Sequence, residues 1–193
     1  MDSNLPKRQA MLLDCLPLQD PESDDVIVVV ETPKGSHNKY KYDATCGAMR
    51  LSAVLGEGLA FPYDFGFFPS TAGEDGDPLD ALLFLDHEVP PGCLASVRLL
   101  GVLEARQKSA KKKQGWIRND RFLAVATHAH THARLRQIDD LRPHLLDEIE
   151  SFFVHYATLN GKSLEFIGRR GPRRAQKLLK AGKKVFKKAR GDR

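Results

Sequence analysis

The 193-residue chain carries 30 Lys or Arg against 25 Asp or Glu, a net charge of +5, with 41% hydrophobic and 28% charged residues. That suits one globular domain able to bury a core, and no apolar stretch approaches the roughly 18 residues that cross a bilayer. Three widely spaced cysteines (Cys15, Cys46, Cys93) and a charged N-terminus without a secretory pattern point to reduced thiols in a cytoplasmic protein rather than a disulfide framework.

Residues 1–25 read as a polar, proline-containing lead-in. Val26–Val30 is a β-branched run and predicts a strand, stopped by Pro33 and Gly35. Lys39–Asp43 alternates aromatic with charged residues, as a half-exposed strand does, and Gly47–Leu55 reads as a second short strand after a turn. Phe61–Pro69 is dense in aromatics and bracketed by prolines. Ala81–Leu85, Ala95–Leu103 and Phe122–Ala126 are further strands, and 106–118, with Lys111–Lys113, reads as an exposed hairpin tip.

After Asp140 the period changes. Leu145, Leu146, Ile149, Phe152, Phe153 and Tyr156 recur at helical spacing, predicting an amphipathic helix from about Pro143 to Leu159, ended by Gly161. Pro172 suits the first turn of a last helix, which Gly182 weakens midway. Strands followed by helices argue for a small barrel with helices packed outside. The expected units are a 1–25 lead-in, a 26–168 barrel domain with its helix, and a 169–193 basic tail.

Charge is uneven along the chain. Residues 169–193 hold twelve Lys or Arg against one acid, whereas residues 1–168 hold eighteen against twenty-four. A basic tail attracts phosphates of any kind, unless its charge is simply a solvated helix face.

The densest chemistry is in Gly73-Glu-Asp-Gly-Asp-Pro-Leu-Asp80, with four carboxylates in seven positions. Asp75 and Asp77 lie two apart, so in extended chain they project to one side, and Asp80 can reach back from the next strand. Hard oxygens clustered this way suit Mg²⁺, which keeps most of its waters. An acidic turn before a buried strand reads equally well from these residues alone. Cationic residues stand in the segments on either side: Lys34 and Lys39 near Glu31, and Arg121 near Asn119 and Asp120. Magnesium together with Lys or Arg is suited to neutralising phosphate charge. Arg169, Arg170, Arg173 and Arg174 form a guanidinium cluster that reads either as a phosphate site or as a solvated helix start. His128, His130 and His132 alternate, but no nearby acid or cysteine completes a metal site, so they read as loop histidines.

Over about residues 26–160 the chain resembles the soluble Mg-dependent inorganic pyrophosphatases, on "VVVETPKGSHNKYKYD" (28–43), "FPYDFGFFPSTAGEDGDPLDALLF" (61–84), "NDRFLAV" (119–125) and "LLDEIESFFVHY" (145–156). The resemblance implies a mainly β, α+β fold, a five-stranded OB-like closed antiparallel barrel with helices outside it. It implies Mg²⁺-dependent hydrolysis of pyrophosphate to two phosphates, in which a water bridging two metal ions attacks one phosphorus. Asp75 and Asp80 match metal ligands, with Asn119 offering one neutral oxygen. Asp77 matches the carboxylate that hydrogen-bonds or deprotonates the water, and Tyr156 a tyrosine donating to product-side phosphate. Lys39 and Arg121 match phosphate-binding cations, Glu31 an acid at the rim, and Lys34 joins the substrate-binding set. Homo-oligomers are expected, and neither a membrane nor nucleic acid is an expected partner.

Against the resemblance, Lys41 stands in place of a glutamate, Ala53 of an arginine, Phe61 and Phe65 of tyrosines, Asn119 of an aspartate and Ala157 of a lysine, and 106–118 contains no acid. These changes predict weaker metal binding and fewer metals. They leave two alternatives open: hydrolysis of an organic diphosphate, or a non-catalytic paralogue whose basic tail binds polyphosphate or nucleic acid.

Overall fold

The β-branched run forms β1 (Val26–Thr32), buried from Ile27 to Thr32. Its burial on both faces follows from its place in a closed ring. In the computed structural model, which describes residues 12–23, 25–109 and 115–191, β1 pairs with β4 (Asp64–Phe67) on one side and β6 (Leu94–Ser109) on the other. β4 pairs with β5 (Asp80–Phe84), β5 with β8 (Arg121–Ala126), and β8 with β6, which closes five strands into a barrel. Four of these seams are antiparallel. The fifth, β5–β8, is parallel, because the long β6 and the short β7 (Ile117–Arg118) intervene between them in the chain. A hairpin of β2 (Asn38–Asp43) and β3 (Ala48–Val54) forms a separate two-stranded sheet.

Alternation along the strands sorts most of the core into two clusters, with a smaller third of Val29, Tyr42 and Phe67 where β2 packs on the barrel. Leu82 and Phe84 of β5 and Leu123 and Val125 of β8 join Ile149 and Phe153 of α1 (Pro143–Leu159), at the bounds the helical spacing predicts. Ala81, Leu83, Phe122 and Ala124 join Ala175 and Leu179 of the last helix, α2 (Pro172–Gly191). Each strand therefore reads as a nearly continuous apolar run.

Two features depart from the sequence reading. The 106–118 segment does pair as a hairpin, Arg106 and Gln107 with Arg118 and Ile117 of β7, but 106–109 also carry β6 along β9 (Lys162–Arg170), a strand that helical periodicity on either side hides. Lys111–Lys113 lie outside the described residues. Gly182 does not interrupt α2, because the helix presses there against the segment before β5. A Cβ on Gly182 would stand 2.5 Å from Leu79 Cδ1, and the Gly182 carbonyl accepts from Ala72 N–H at 3.1 Å. Glycine is the residue that lets this helix come so close.

The guanidinium cluster is divided between two structural duties. Arg169 reaches α1, pairing with Asp147 and, through Nε at 2.8 Å, with Glu150. Arg174 and Arg118 ion-pair with Glu104 of β6 at 2.8 and 2.7 Å, with Arg170 at 3.5 Å. The described cluster residues therefore tie α1, β9 and α2 to the barrel, with Arg173 left at the surface. Burial alone raises the Glu104 carboxyl, but hydrogen bonds from Arg174 and Arg118 outweigh it and hold its pKa below the ordinary glutamate value. A lowered pKa contributes stability that is present at neutral pH and lost as pH falls through the folded value. Glu104→Gln is expected to cost about 2 kcal/mol at pH 7, less than a fully buried pair because the arginines keep contact with water. Urea unfolding at pH 7 and below about pH 4 checks this, and the two proteins' stabilities should converge in acid.

Candidate active site

The segment between β4 and β5 is a tight turn before it is a ligand. Gly76 sits at φ 86°, and Gly73 N–H donates to the Asp77 carbonyl at 2.8 Å, so the chain doubles back and presents Asp75 and Asp77 together. Asp75 Oδ1 accepts from Asp77 N–H at 3.2 Å. Glu74, the fourth carboxylate, turns the other way and accepts from Arg118 N–H at 2.8 Å. Thr71 and Gly182 clamp the base of the turn: Leu79 N–H donates to Thr71 Oγ1 at 3.0 Å, and the Gly182 contact holds Ala72.

Around this turn a cavity of about 330 Å³ gathers eight of the nine residues expected from sequence: Glu31, Lys39, Asp75, Asp77, Asp80, Asn119, Arg121 and Tyr156. Lys34 is the exception. Its ammonium lies 5.7 Å from the Tyr63 ring centre at the surface, because Pro33 and Gly35 turn the chain outward after β1. Arg50 of β3, a cation close in sequence to Ala53, does not line the cavity, being paired with Asp43 at 2.7 Å.

The parallel seam sets the centre of the site. It places Asp80 beside Arg121, whose Nη1 lies 2.6 Å from Asp80 Oδ2. Arg121 is buried, with its guanidinium 5.2 Å from the Phe153 ring centre, and it also holds the Asn119 side-chain oxygen. The oxygen expected to face a metal is thus committed to a guanidinium. Asp120 points to the opposite side, as strand alternation requires, and accepts from Ala105 N–H at 2.9 Å.

On the other wall, Lys39 of β2 stands among three rings, 4.5 Å from Phe65, 5.5 Å from Phe61 and 5.6 Å from Tyr156. Phe61 and Phe65 lack hydroxyls and hold the ammonium by their faces. Desolvation among these rings lowers the Lys39 pKa, against the pull of Asp80 and Glu31. Burial pushes the Glu31 carboxyl up to about 7, although it accepts from Tyr42 N–H at 2.7 Å. The Tyr156 hydroxyl is likewise raised by burial.

Sequence reasoning missed the contributions of Lys162, Asn160 and Gln107, which also line the cavity. The signal was present in Leu164 and Phe166, which alternate after the Asn160–Gly161 helix stop and mark β9. With Lys162 and Lys41 included, four cationic side chains (Lys39, Lys41, Arg121, Lys162) face four carboxyls (Glu31, Asp75, Asp77, Asp80). Lys41 Nζ lies 2.8 Å from Asp77 Oδ2.

Among the described residues no three Asp, Glu, His or Cys side chains converge on one point. Magnesium does not need such a cage, since it binds through one or two carboxylates and keeps its waters. Asp75 meets that requirement: among the described residues it makes no ion pair, and its carboxyl is raised by desolvation and by the Asp80 and Asp77 charges beside it, against the opposing charge of Arg121. A carboxylate without an ion pair of its own, beside two others, is a donor set that fits a hydrated divalent cation.

The inorganic pyrophosphatase family matches residues 28–187. The chain is 33% identical over 177 residues to the inorganic pyrophosphatase of a Nostoc species, covering 92% of this chain and all of that one. It is 36% identical over 158 residues to that of a Synechocystis species, covering 82% and 89%. Among solved structures, inorganic pyrophosphatase from Thermus thermophilus superposes with a TM-score of 0.82 at 32% identity, over 92% of this chain and 99% of that one. The enzyme from Helicobacter pylori gives 0.79 at 32%, over 89% and 98%. A barrel closed through the β5–β8 seam, with the carboxylate turn at its mouth and this extent of likeness, places the chain in the inorganic pyrophosphatase family.

Proposed function

We propose that the chain is a magnesium-dependent inorganic diphosphatase that cleaves pyrophosphate to two phosphates. The observation that carries this reading is the single cavity in which Asp75, Asp77 and Asp80 face Lys39, Arg121 and Tyr156. Magnesium held at Asp75 and Asp80 would polarise the phosphate and the attacking water. Asp77 takes the proton of that water, Lys39 and Arg121 receive phosphate charge, and the Tyr156 hydroxyl donates to the departing phosphate. Glu31 sits behind Lys39 and steadies its ammonium. Asn119 orients Arg121 in addition to any contact with the ion. A cytoplasmic, homo-oligomeric enzyme fits the family and the three free thiols.

Phosphate release from magnesium pyrophosphate is the test, run with and without chelator. Chelator-sensitive release is expected, and its absence at any magnesium concentration overturns the reading. Ala53 and Ala157 both line the cavity and leave it room. That space favours a second reading, an organic diphosphate as substrate, and a preference for nucleoside diphosphates over pyrophosphate in the same assay would establish it.

Lys41 sets the strength of metal binding. Its ammonium occupies one oxygen of Asp77, and a divalent ion approaching this turn meets that positive charge. The pair is about half exposed, so an effective dielectric near that of water applies, and the repulsion amounts to about 1–2 kcal/mol. Lys41→Met is therefore expected to tighten Mg²⁺ binding about tenfold, measured by titration calorimetry without substrate.

A further inference from the structure

α2 carries nine Lys or Arg and no acid along its twenty residues. Arg173, Lys177, Lys180, Lys184 and Lys187 recur at spacings of four, three, four and three, so they share one face, and all five are exposed. Ala175, Leu179 and Gly182 form the opposite, buried face. The stripe runs about 21 Å along the helix axis. Among the described residues Arg174 alone of this helix makes an ion pair, with Glu104 on the barrel side, and the five stripe cations make none. Like charges three and four residues apart repel and weaken a helix, so an unrelieved row of them is held against its own electrostatics.

We propose that this outer face of α2 is a docking track for linear inorganic polyphosphate. The cations lie in one line at intervals of a helical turn, as a linear polyanion requires. Four of the five are lysines, compact point charges that meet phosphate oxygens without demanding a forked geometry. No aromatic side chain lies on the stripe to stack a base, which disfavours single-stranded nucleic acid. Val185, the exposed apolar side chain of the helix, lies off the stripe, so the face has no apolar anchor for a bilayer and no apolar centre for a second copy of the chain. A polymer of phosphate alone matches a surface of charge alone. The track is separate from the cavity, so the proposal stands whether or not pyrophosphate is the substrate.

The test measures binding of the full chain to fluorescently labelled linear polyphosphate, with chelator present to prevent turnover. The wild type is expected to bind with log K falling against log salt at a slope of about −3.5, the single-strand value for five phosphate contacts. Lys177→Gln/Lys180→Gln/Lys184→Gln/Lys187→Gln together should weaken binding at least about tenfold, while the same four changed to Arg retain it. Both variants keep good helix formers at exposed positions, and circular dichroism checks that they fold. Phosphate release from pyrophosphate should be the same in all three proteins. The proposal is overturned if the wild type does not bind, or if the Gln variant binds as tightly as the wild type. It is equally overturned if a single-stranded oligonucleotide or an anionic vesicle competes at equal charge concentration as well as polyphosphate does.

Discussion

Asp77→Asn is expected to lower phosphate release from magnesium pyrophosphate by between about a hundredfold and ten-thousandfold, the range of a positioned general base. The substitution keeps the shape of the side chain and leaves an oxygen that can still accept from Lys41 Nζ, now 2.8 Å from Asp77 Oδ2. What it removes is the basic lone pair. Asp77 is 57% exposed and its partner 45%, so the lost ion pair contributes little to folding. The urea midpoint should stay near that of the wild type while activity collapses. If the Asn variant keeps more than a tenth of the wild-type rate, Asp77 is not the base.

Arg121→Met should be costly in two ways at once. Arg121 is 7% exposed, its guanidinium bonded to Asp80 and to the backbone carbonyls of Asn119 and Asp120 and seated near the Phe65 and Phe153 rings. Methionine fills the space but leaves Asp80 without its partner, at a cost of about 2–3 kcal/mol in stability, somewhat below a fully buried pair because Asp80 is partly solvated. Loss of a preorganised cation at the substrate phosphate is expected to lower kcat about a hundredfold. A purely structural role predicts no gain elsewhere. The site reading predicts one: with Asp80 released, Mg²⁺ should bind more tightly than in the wild type, as calorimetry on the folded variant would show. Arg121→Lys should restore part of the stability and less of the rate, because one ammonium cannot hold Asp80 and the Asn119 carbonyl together.

Helix boundaries and most strands were legible because their periods are local. Pro143 and Gly161 bracket a 3.6-residue apolar pattern, and Val26–Val30 needs no partner to be read as a strand. β9 was not legible in the same way, since Lys162–Arg170 mixes three cations and a glutamate with its apolar residues and takes its place only by pairing with β6. The arginines at 169, 170 and 174 looked like one cluster in the chain. Strand and helix geometry send them to different carboxylates, Asp147 and Glu150 for one, Glu104 for the others.

By itself the sequence determined most of the elements, the acidic turn and its neighbouring cations, because residue type and spacing act within a few residues. Tertiary structure decided which charges meet. The parallel β5–β8 register sets Arg121 against Asp80, and the β2 hairpin brings Lys41 to Asp77 from thirty-six residues away. Those pairings arise from strands closing on one another, and electrostatic interaction falls so steeply with distance that only the closed barrel fixes which carboxylate stays free for a metal.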